Sequence, residues 1–485
     1  MSQGVRRTTL AILTVRMTLQ LALLLGYSAL LVGLGLWIGR RVRGASDFFV
    51  AGRQLGPGLI FSTMLAANIG AGSTVNATAL GYTSGVAAWW WVGSAALGSA
   101  VLAFWIGPAI RRTAAARDLR TVGDYLEHRF GATVRALIAA LLWVGALFIL
   151  AGQLFAMGVI LEIVAEIPSW AGCVIGGVVI TAYFTAGGLL TSAWVNVVQL
   201  TVKLGGFAIA VPLVLDRIGG IRALSLVRPD DPAYWSFWQA GPPGIMWLAM
   251  LTPAFIVSPG LLQKIFGARD DRAVRIGVGL NALGLLLYAG VPVLLGISAR
   301  LLFRDLAIPD LALPTILMRG LPPVVGALGL AAVFSAEVSA ADAVLFMLTT
   351  SLSQDLYKRF VNPSAPDRRV LLVTRLTAVV SGVVGVALAI ALGSVLKALE
   401  IFYSLLSVSL FVPILAGLYV RRAGTPDALA SIACGVATMV AVQFATAGRG
   451  IAGVTPALAG LAASTLGFVA VFISRQRTHE PERVV

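Results

Sequence analysis

The chain has 485 residues, of which 58% are hydrophobic and 12% charged, and it carries a net charge of +15. A soluble domain is about half apolar and a quarter charged, whereas this composition suffices for roughly a dozen membrane helices of about 20 residues each. A soluble multidomain enzyme, a disordered chain and a nucleic-acid-binding protein are therefore excluded, and the positive charge is expected in cytoplasmic loops.

Apolar runs predict thirteen helical spans, because lipid offers no partners to an open backbone and the alternating pattern of a β-barrel is absent. Residues 1–16 are expected to be a dispensable leader, with Met17 as an alternative start. The first span is too long for a signal peptide and lacks a small-residue cleavage site. The spans are 19–38, 58–81, 85–108, 132–163, 171–187, 190–215, 243–266, 273–300, 316–353, 370–393, 396–421, 426–446 and 452–474.

Basic residues between the spans predict the orientation. With the N-terminus outside, the inner loops and tail hold 24 lysines and arginines and the outer side holds 11. Because cytoplasmic loops are enriched in these residues, we expect the N-terminus outside and the C-terminus in the cytoplasm. Arginines outnumber lysines 32 to 4, which is associated with a GC-rich bacterial source and hence an inner membrane.

Two of the spans, the second and the seventh, are interrupted near their middles. The seventh span contains Pro253 and the pair Pro259–Gly260. Paired interruptions in two halves are typical of transporters built from inverted repeats, whose binding site lies near the membrane midplane. Close helix packing through small residues is the alternative interpretation. The interrupting residues of the second span are Asn68, Gly70, Gly72, Ser73 and Thr74.

Ionisable residues within spans are costly and usually functional. Lys203 shares a helix face with Asn196 and Gln199, and Asp342 shares one with Ala332, Ser335 and Ser339, while Glu337 points elsewhere. We expect Lys203 either to anchor a carboxylate solute or to carry a coupling proton, with Asp342 as its partner. An internal salt bridge that touches no solute is the alternative.

No constellation of catalytic residues competes with transport. The glycine-rich stretches lack a phosphate-binding loop, and the histidines, His128 and His479, fit neither a zinc motif nor a serine triad. Cys173 and Cys434 lie in apolar stretches, which argues against a disulfide framework. The chain is therefore expected not to be an enzyme. A channel is disfavoured because it seldom needs two broken helices.

The sequence resembles the sodium:solute symporter family through a series of motifs in family order, which together cover about residues 20–420. The motifs are Asp47–Gly56, Thr121–Leu126 with Arg129–Gly131, Ala186–Leu189 running on to Trp194–Asn196, Gln263–Ala268, and Ala331–Ser335 followed by Asp355–Tyr357.

The resemblance implies an all-α membrane fold of the leucine-transporter type. Five helices and five inverted ones would form the core in the second to eleventh spans, with one helix added before and two after. The resulting segments are a leader (1–16), the first transmembrane helix and its inner loop (17–57), the first repeat (58–215), an outer loop (216–242), the second repeat (243–421), two C-terminal helices (422–474) and a cytoplasmic tail (475–485).

The resemblance also implies a sodium ion and no other cofactor. Its ligands would be the backbone carbonyls of Ala66, Ile69 and Ala332 and the hydroxyl of Ser335. The sequence departs from the family at Ala336, where a second hydroxyl is usual, at Asn196, where an aspartate is usual, and at Ala254 beside Phe255, where sugar transporters have an aromatic gate. A Lys203 ammonium could replace the sodium and favour proton coupling. Alternatively Ser339, Asp342 or Glu337 supplies the missing oxygen.

The solute pocket implied by the resemblance is poor in hydrogen-bonding groups, which favours a small carboxylate or amino acid over a sugar. The expected function is symport of that solute with sodium by alternating access. A proton-coupled transporter and a transporter-like solute sensor are the alternatives, although the eleven residues after Ser474 leave no room for an output domain. The partners are thus the solute and the lipid bilayer. The pocket residues are Asn68, Gly72, Ser73, Trp247, Phe255, Tyr403 and Ser404.

Overall fold

The structure is a computed structural model. It describes residues 26–27, 29–31, 33–34, 37, 50–184, 188–228, 230–238, 246–451 and 453–479. The predicted leader, most of the first span, motif residues 47–49 and 186–187, and tail residues 480–485 lie outside the described residues.

The described residues are almost entirely helical and contain no β-strand. In the first half the helices are α1 (Pro57–Asn68), α2 (Ala77–Ser84), α3 (Trp89–Val101), α4 (Gly107–Ala116), α5 (Val122–Phe130), α6 (Ala132–Ala165), α7 (Ser169–Phe184) and α8 (Gly188–Arg217). In the second half they are α9 (Met246–Val257), α10 (Pro259–Phe266), α11 (Asp271–Tyr288), α12 (Gly290–Leu302), α13 (Ala312–Gly320), α14 (Pro323–Thr350), α15 (Asp367–Leu392), α16 (Val395–Tyr419), α17 (Thr425–Ala445) and α18 (Pro456–His479).

Within the described residues, ten helical stretches are long and apolar enough to cross a membrane. One of them, Gly72–Ala116, is 45 residues long and runs through α2, α3 and α4, and α7 contributes a shorter apolar helix. The predicted all-helical membrane fold is confirmed. The count of thirteen helices stays a prediction, because the first span lies mostly outside the described residues.

Both predicted interruptions contain a break in the helix, but Pro253 does not cause one, because it lies inside the continuous helix α9. After α1 the backbone leaves the helical conformation at Ile69 and resumes as a wider π-helical turn at Gly72–Asn76. A side chain at Gly70 would place its Cβ 2.3 Å from the Cβ of Ala340, so only glycine allows the approach of α14. The second break is at Ser258, whose ψ of 119° ends α9 before Pro259 starts α10.

The break in α1 lies in the centre of the helix packing. α1 contacts α8, α11 and α14, and α8 packs along α14. α16 packs against α6 and α9 and closes the other side. The non-helical residues of the first break are thereby surrounded by protein, as backbone without helical partners requires at membrane depth.

Two basic residues that the orientation count included among the 24 inner charges, Arg135 and Lys264, are buried. Arg135, in the first turn of α6, is 6% exposed and forms ion pairs with Asp124 at 2.8 Å, Glu127 at 2.7 Å and Asp355 at 2.8 Å. Lys264, in α10, is 3% exposed. Both therefore lie within helices rather than in loops, because apolar length alone does not show where a helix continues inside the protein; the orientation stays a prediction.

The N-terminal motif is tied to the end of α10. Leu55 exchanges backbone hydrogen bonds with Gly267 at 3.0 Å and with Arg269 at 3.1 Å. Arg53 donates to the carbonyl of Phe266 at 3.0 Å and to Asp118 at 3.1 Å. The hydrogen bond from Arg53 holds the pKa of the Asp118 carboxyl below its ordinary value.

Candidate functional site

The Lys203 ammonium occupies the break in α1. Its Nζ donates to the carbonyl of Ala66 at 2.5 Å, to the carbonyl of Ile69 at 3.1 Å and to the hydroxyl of Ser339 at 2.5 Å. The side chain is fully buried. An ammonium has three N–H donors, so these contacts use them all.

The break in α1 leaves the carbonyls of Ala66 and Ile69 without helical partners. In a continuous helix the N–H of Gly70 would bond to the Ala66 carbonyl, but here it donates to the hydroxyl of Ser73 at 3.1 Å. The carbonyls at the end of a helix have no partners within it. Lys203 and Ser339, whose hydroxyl donates to the same Ala66 carbonyl at 2.8 Å, satisfy them.

Ser335 lies nearby but makes other contacts. Its hydroxyl accepts from the Tyr27 hydroxyl at 2.5 Å and donates to the Gln199 carbonyl at 3.3 Å. Ala332 is buried against Gly206 of α8. Of the expected cation ligands, Ala66, Ile69 and Ser339 contact the Lys203 ammonium. Ala332 and Ser335 do not contact it within the described structure.

Glu337 faces the same break from another side. Its Oε1 accepts from the Thr74 hydroxyl at 2.7 Å. Its Oε2 is buried and has no hydrogen-bond partner among the described residues. Lys203 and Glu337 attract each other electrostatically although they are not in ion-pair contact within the described structure.

Asp342 is not the partner of Lys203, so that expectation is wrong. It accepts a hydrogen bond from Ser192, and the lysine it attracts is Lys264. The physical reason is the position along α14: Asp342 lies five residues beyond Glu337, about 7.5 Å along the helix axis.

Asn196 connects α8 to α1. Its amide donates to Thr63 Oγ1 at 2.9 Å and to Ser192 Oγ at 3.2 Å, whereas its Oδ1 is buried and unpartnered among the described residues. It therefore belongs to the cluster around Asp342 and makes no described contact with the Lys203 ammonium.

A pocket opens between the two broken helices. Five of the seven predicted solute residues line it: Asn68, Gly72, Ser73, Phe255 and Tyr403. Trp247 lies one layer behind, edge-on to Trp91 with ring centres 4.6 Å apart. Ser404 contacts the sulfur of Met250 at 3.5 Å instead.

Sequence reasoning missed several residues of the pocket wall, namely Trp91, Gln153, Lys264 and Phe402. Of these residues, Lys264 could most easily have been predicted from the sequence. It follows Gly260 by four residues and therefore lies on the same face of α10 as that glycine. Gln153 accepts from the Ala71 N–H at 2.9 Å, a contact that sequence periodicity does not indicate.

Comparison with known proteins places this chain in a family. A family model described as the sodium:solute symporter family matches residues 48–435. The human sodium/iodide cotransporter is 26% identical over 436 residues, covering 84% of this chain and 66% of that protein. The Vibrio parahaemolyticus sodium/glucose cotransporter is 24% identical, covering 86% and 84%, and the Bacillus subtilis high-affinity proline transporter is 23% identical, covering 84% and 88%.

Solved structures agree on the fold. A Na⁺-coupled sialic acid symporter superposes with a TM-score of 0.81 at 18% identity, covering 94% of this chain and 98% of that one. A nucleobase-cation-symport transporter superposes with a TM-score of 0.57 at 16% identity. The fold is thus that of helical membrane transporters. The chain belongs to the sodium:solute symporter family, as the sequence motifs predicted.

Proposed function

We propose that the protein is a secondary active transporter that takes up a small organic carboxylate or amino acid by alternating access. Family membership and the pocket between two broken helices support transport. The pocket's few hydrogen-bonding groups support a carboxylate or amino acid over a sugar. The proposed location is a bacterial inner membrane, with the N-terminus outside and the C-terminus in the cytoplasm.

The coupling mechanism we favour is proton symport with Lys203 in place of sodium. The observation that carries it is the contact of the Lys203 ammonium with the carbonyls of Ala66 and Ile69, which the family resemblance implies as sodium ligands. A buried ammonium is stable only while acceptors surround it. Rearrangement of the break during alternating access would remove them and favour release of the proton.

Sodium symport is the other candidate, and membership of the sodium:solute symporter family supports it. It is also supported by the relatives, two of which are named as sodium cotransporters. The oxygens around Asp342, Ser192 and Asn196 offer hard ligands away from Lys203. The two candidates differ in which gradient drives uptake.

Uptake into proteoliposomes separates them. Counterflow with labelled organic acids, amino acids and sugars first identifies a solute. Uptake of that solute is then driven by a proton gradient without sodium, or by a sodium gradient at constant pH. We expect the proton gradient alone to suffice; a requirement for sodium in the wild type would overturn proton coupling.

Two substitutions sharpen the test. Lys203→Met removes the charge but keeps the length, so pH-driven uptake should be lost. Lys203→Ala also vacates space at the carbonyls, so sodium should now stimulate uptake. Lys397→Met is the matched control, because Lys397 lies exposed at the start of α16. If pH dependence and solute selectivity are unchanged in Lys203→Met, Lys203 has a structural role and does not take part in coupling.

A further inference from the structure

The second buried lysine, Lys264, has unused donors in the wall of the solute pocket. It is 3% exposed and lies one turn beyond Gly260, which also lines the pocket. Its single hydrogen bond within the described structure goes to the Thr63 carbonyl at 3.1 Å. Two of its three N–H donors are therefore available, whereas Lys203 spends all three and does not line the pocket.

The pocket wall carries a basic side chain and no acidic one among the described residues. Lys264 is the charged side chain among the described residues that line it, and no carboxylate accompanies it there. Asp342 attracts Lys264 from behind the wall but forms no ion pair with it within 4 Å in the part of the chain that the structure describes. A buried ammonium with free donors and no contacting acid favours an anion.

The rest of the wall is suited to an apolar body. The rings of Phe255 and Tyr403 stack with centres 5.4 Å apart, and Trp91 meets Tyr403 edge-on at 6.2 Å. Two of the polar groups in the wall are engaged elsewhere: the Ser73 hydroxyl donates to the Asn68 carbonyl at 2.8 Å, and the Asn68 amide donates to Asn281 at 3.1 Å.

We propose that Lys264 binds the carboxylate of the solute, and that the solute is a monocarboxylate with an aromatic or branched aliphatic body and no amino group. The carboxylate accepts the two free N–H donors of Lys264, and the aromatic rings enclose the body. An ammonium group on the solute would find no acid to pair with among the described residues of the wall. The inference rests on the proposed transport function and names its substrate class.

Equilibrium binding of radiolabelled phenylacetate to purified full-length protein in detergent tests this without requiring transport. Phenylacetamide is the ligand control, since it keeps the ring and the shape but lacks the charge. We expect the wild type to bind phenylacetate at least about tenfold more tightly than phenylacetamide, as a charge-assisted hydrogen bond implies. Equal affinity for the two ligands would overturn the proposal.

Variants assign the charge preference to Lys264. Lys264→Gln should lose the preference for phenylacetate over phenylacetamide, and Lys264→Arg should retain it. Lys397→Gln, at an exposed site, should behave as the wild type. Retention of the full preference by a monodisperse Lys264→Gln protein would overturn the assignment. If that variant does not fold, the wild-type comparison of the two ligands still decides.

Competition separates the alternative solutes. Phenylalanine, iodide, choline and glucose should each displace phenylacetate at least about tenfold less well than unlabelled phenylacetate. Equal displacement by phenylalanine or iodide would overturn the stated substrate class. Lys264-dependent binding without gradient-driven uptake would instead overturn the transport function and leave the binding site in place.

Discussion

Lys203 Nζ lies 2.5 Å from the carbonyl oxygen of Ala66, at the point where α1 stops being a helix. The same two residues stand at the centre of the packing between α1, α8 and α14. Without the lysine, the freed carbonyls would need a cation or water, because a buried carbonyl without a partner is costly. The chain thus supplies a tethered cation to its own broken helix, and this relationship determines the first two predictions.

Ser339→Ala should lower uptake about tenfold. The hydroxyl accepts from Lys203 at 2.5 Å and donates to Ala66 at 2.8 Å, so its loss removes a charge-assisted hydrogen bond at the break. Initial rates of uptake in proteoliposomes provide the measurement. Ser335→Ala is the matched comparison on the same helix.

Ser335 decides whether the cation site implied by the family resemblance applies here. Its hydroxyl contacts Tyr27 and Gln199 rather than the lysine, so Ser335→Ala should have the smaller effect and leave any sodium dependence as it was. A severalfold rise in the sodium concentration for half-maximal uptake in Ser335→Ala would instead restore Ser335 as a sodium ligand.

Glu337→Gln should flatten the pH dependence of uptake while leaving counterflow intact. The substituted amide could still accept from Thr74 through its carbonyl oxygen, but it offers no carboxylate to receive a proton from Lys203. Counterflow needs no coupling gradient, so it reports solute binding and the conformational change alone. A wild-type pH profile in this variant would show that the coupling proton does not pass through Glu337.

The helical membrane fold and the two breaks were predictable because they depend on local chemistry. Pro259 and the glycines around Asn68 disfavour a continuous helix wherever they occur. Apolar runs of about 20 residues likewise indicate spans without reference to partners. The family motifs added the order of the helices, which no local pattern contains.

The partners of the buried charges were not predictable in the same way. The sequence showed that three ionisable side chains are costly in lipid, namely Lys203, Glu337 and Asp342. Which lysine each acid faces depends on the position of that acid along α14, and this position relative to the neighbouring helices is set by packing. Lys264 was missed because it stands near the end of a span, where a basic residue ordinarily marks a loop. Only the packing of α10 against α1 shows that it is buried.

Arg135→Met should destabilise the protein strongly. Arg135 is buried among Asp124, Glu127 and Asp355, and removing one member of a buried ion network typically costs about 3–5 kcal/mol. Thermal unfolding in detergent, followed by tryptophan fluorescence, should show a lower midpoint. Arg359→Met is the control, since Arg359 is exposed and forms an ion pair only with Glu127 among the described residues, so its loss should hardly change the midpoint. Equal midpoints for the two variants would contradict the network's role.

Gly72→Leu should abolish solute binding and uptake without preventing membrane insertion. A Cβ at this position would lie 3.0 Å from the side chain of Leu399 and 3.4 Å from the indole nitrogen of Trp91, so the remaining leucine atoms must extend into the pocket. Gly58→Leu is the matched control, because a Cβ at that exposed glycine of α1 would have no described atom within 4 Å apart from its own stretch of helix. Both variants should elute as monodisperse protein from detergent. Only Gly58→Leu should then take up solute, and normal uptake by Gly72→Leu would place the solute outside the pocket between the broken helices.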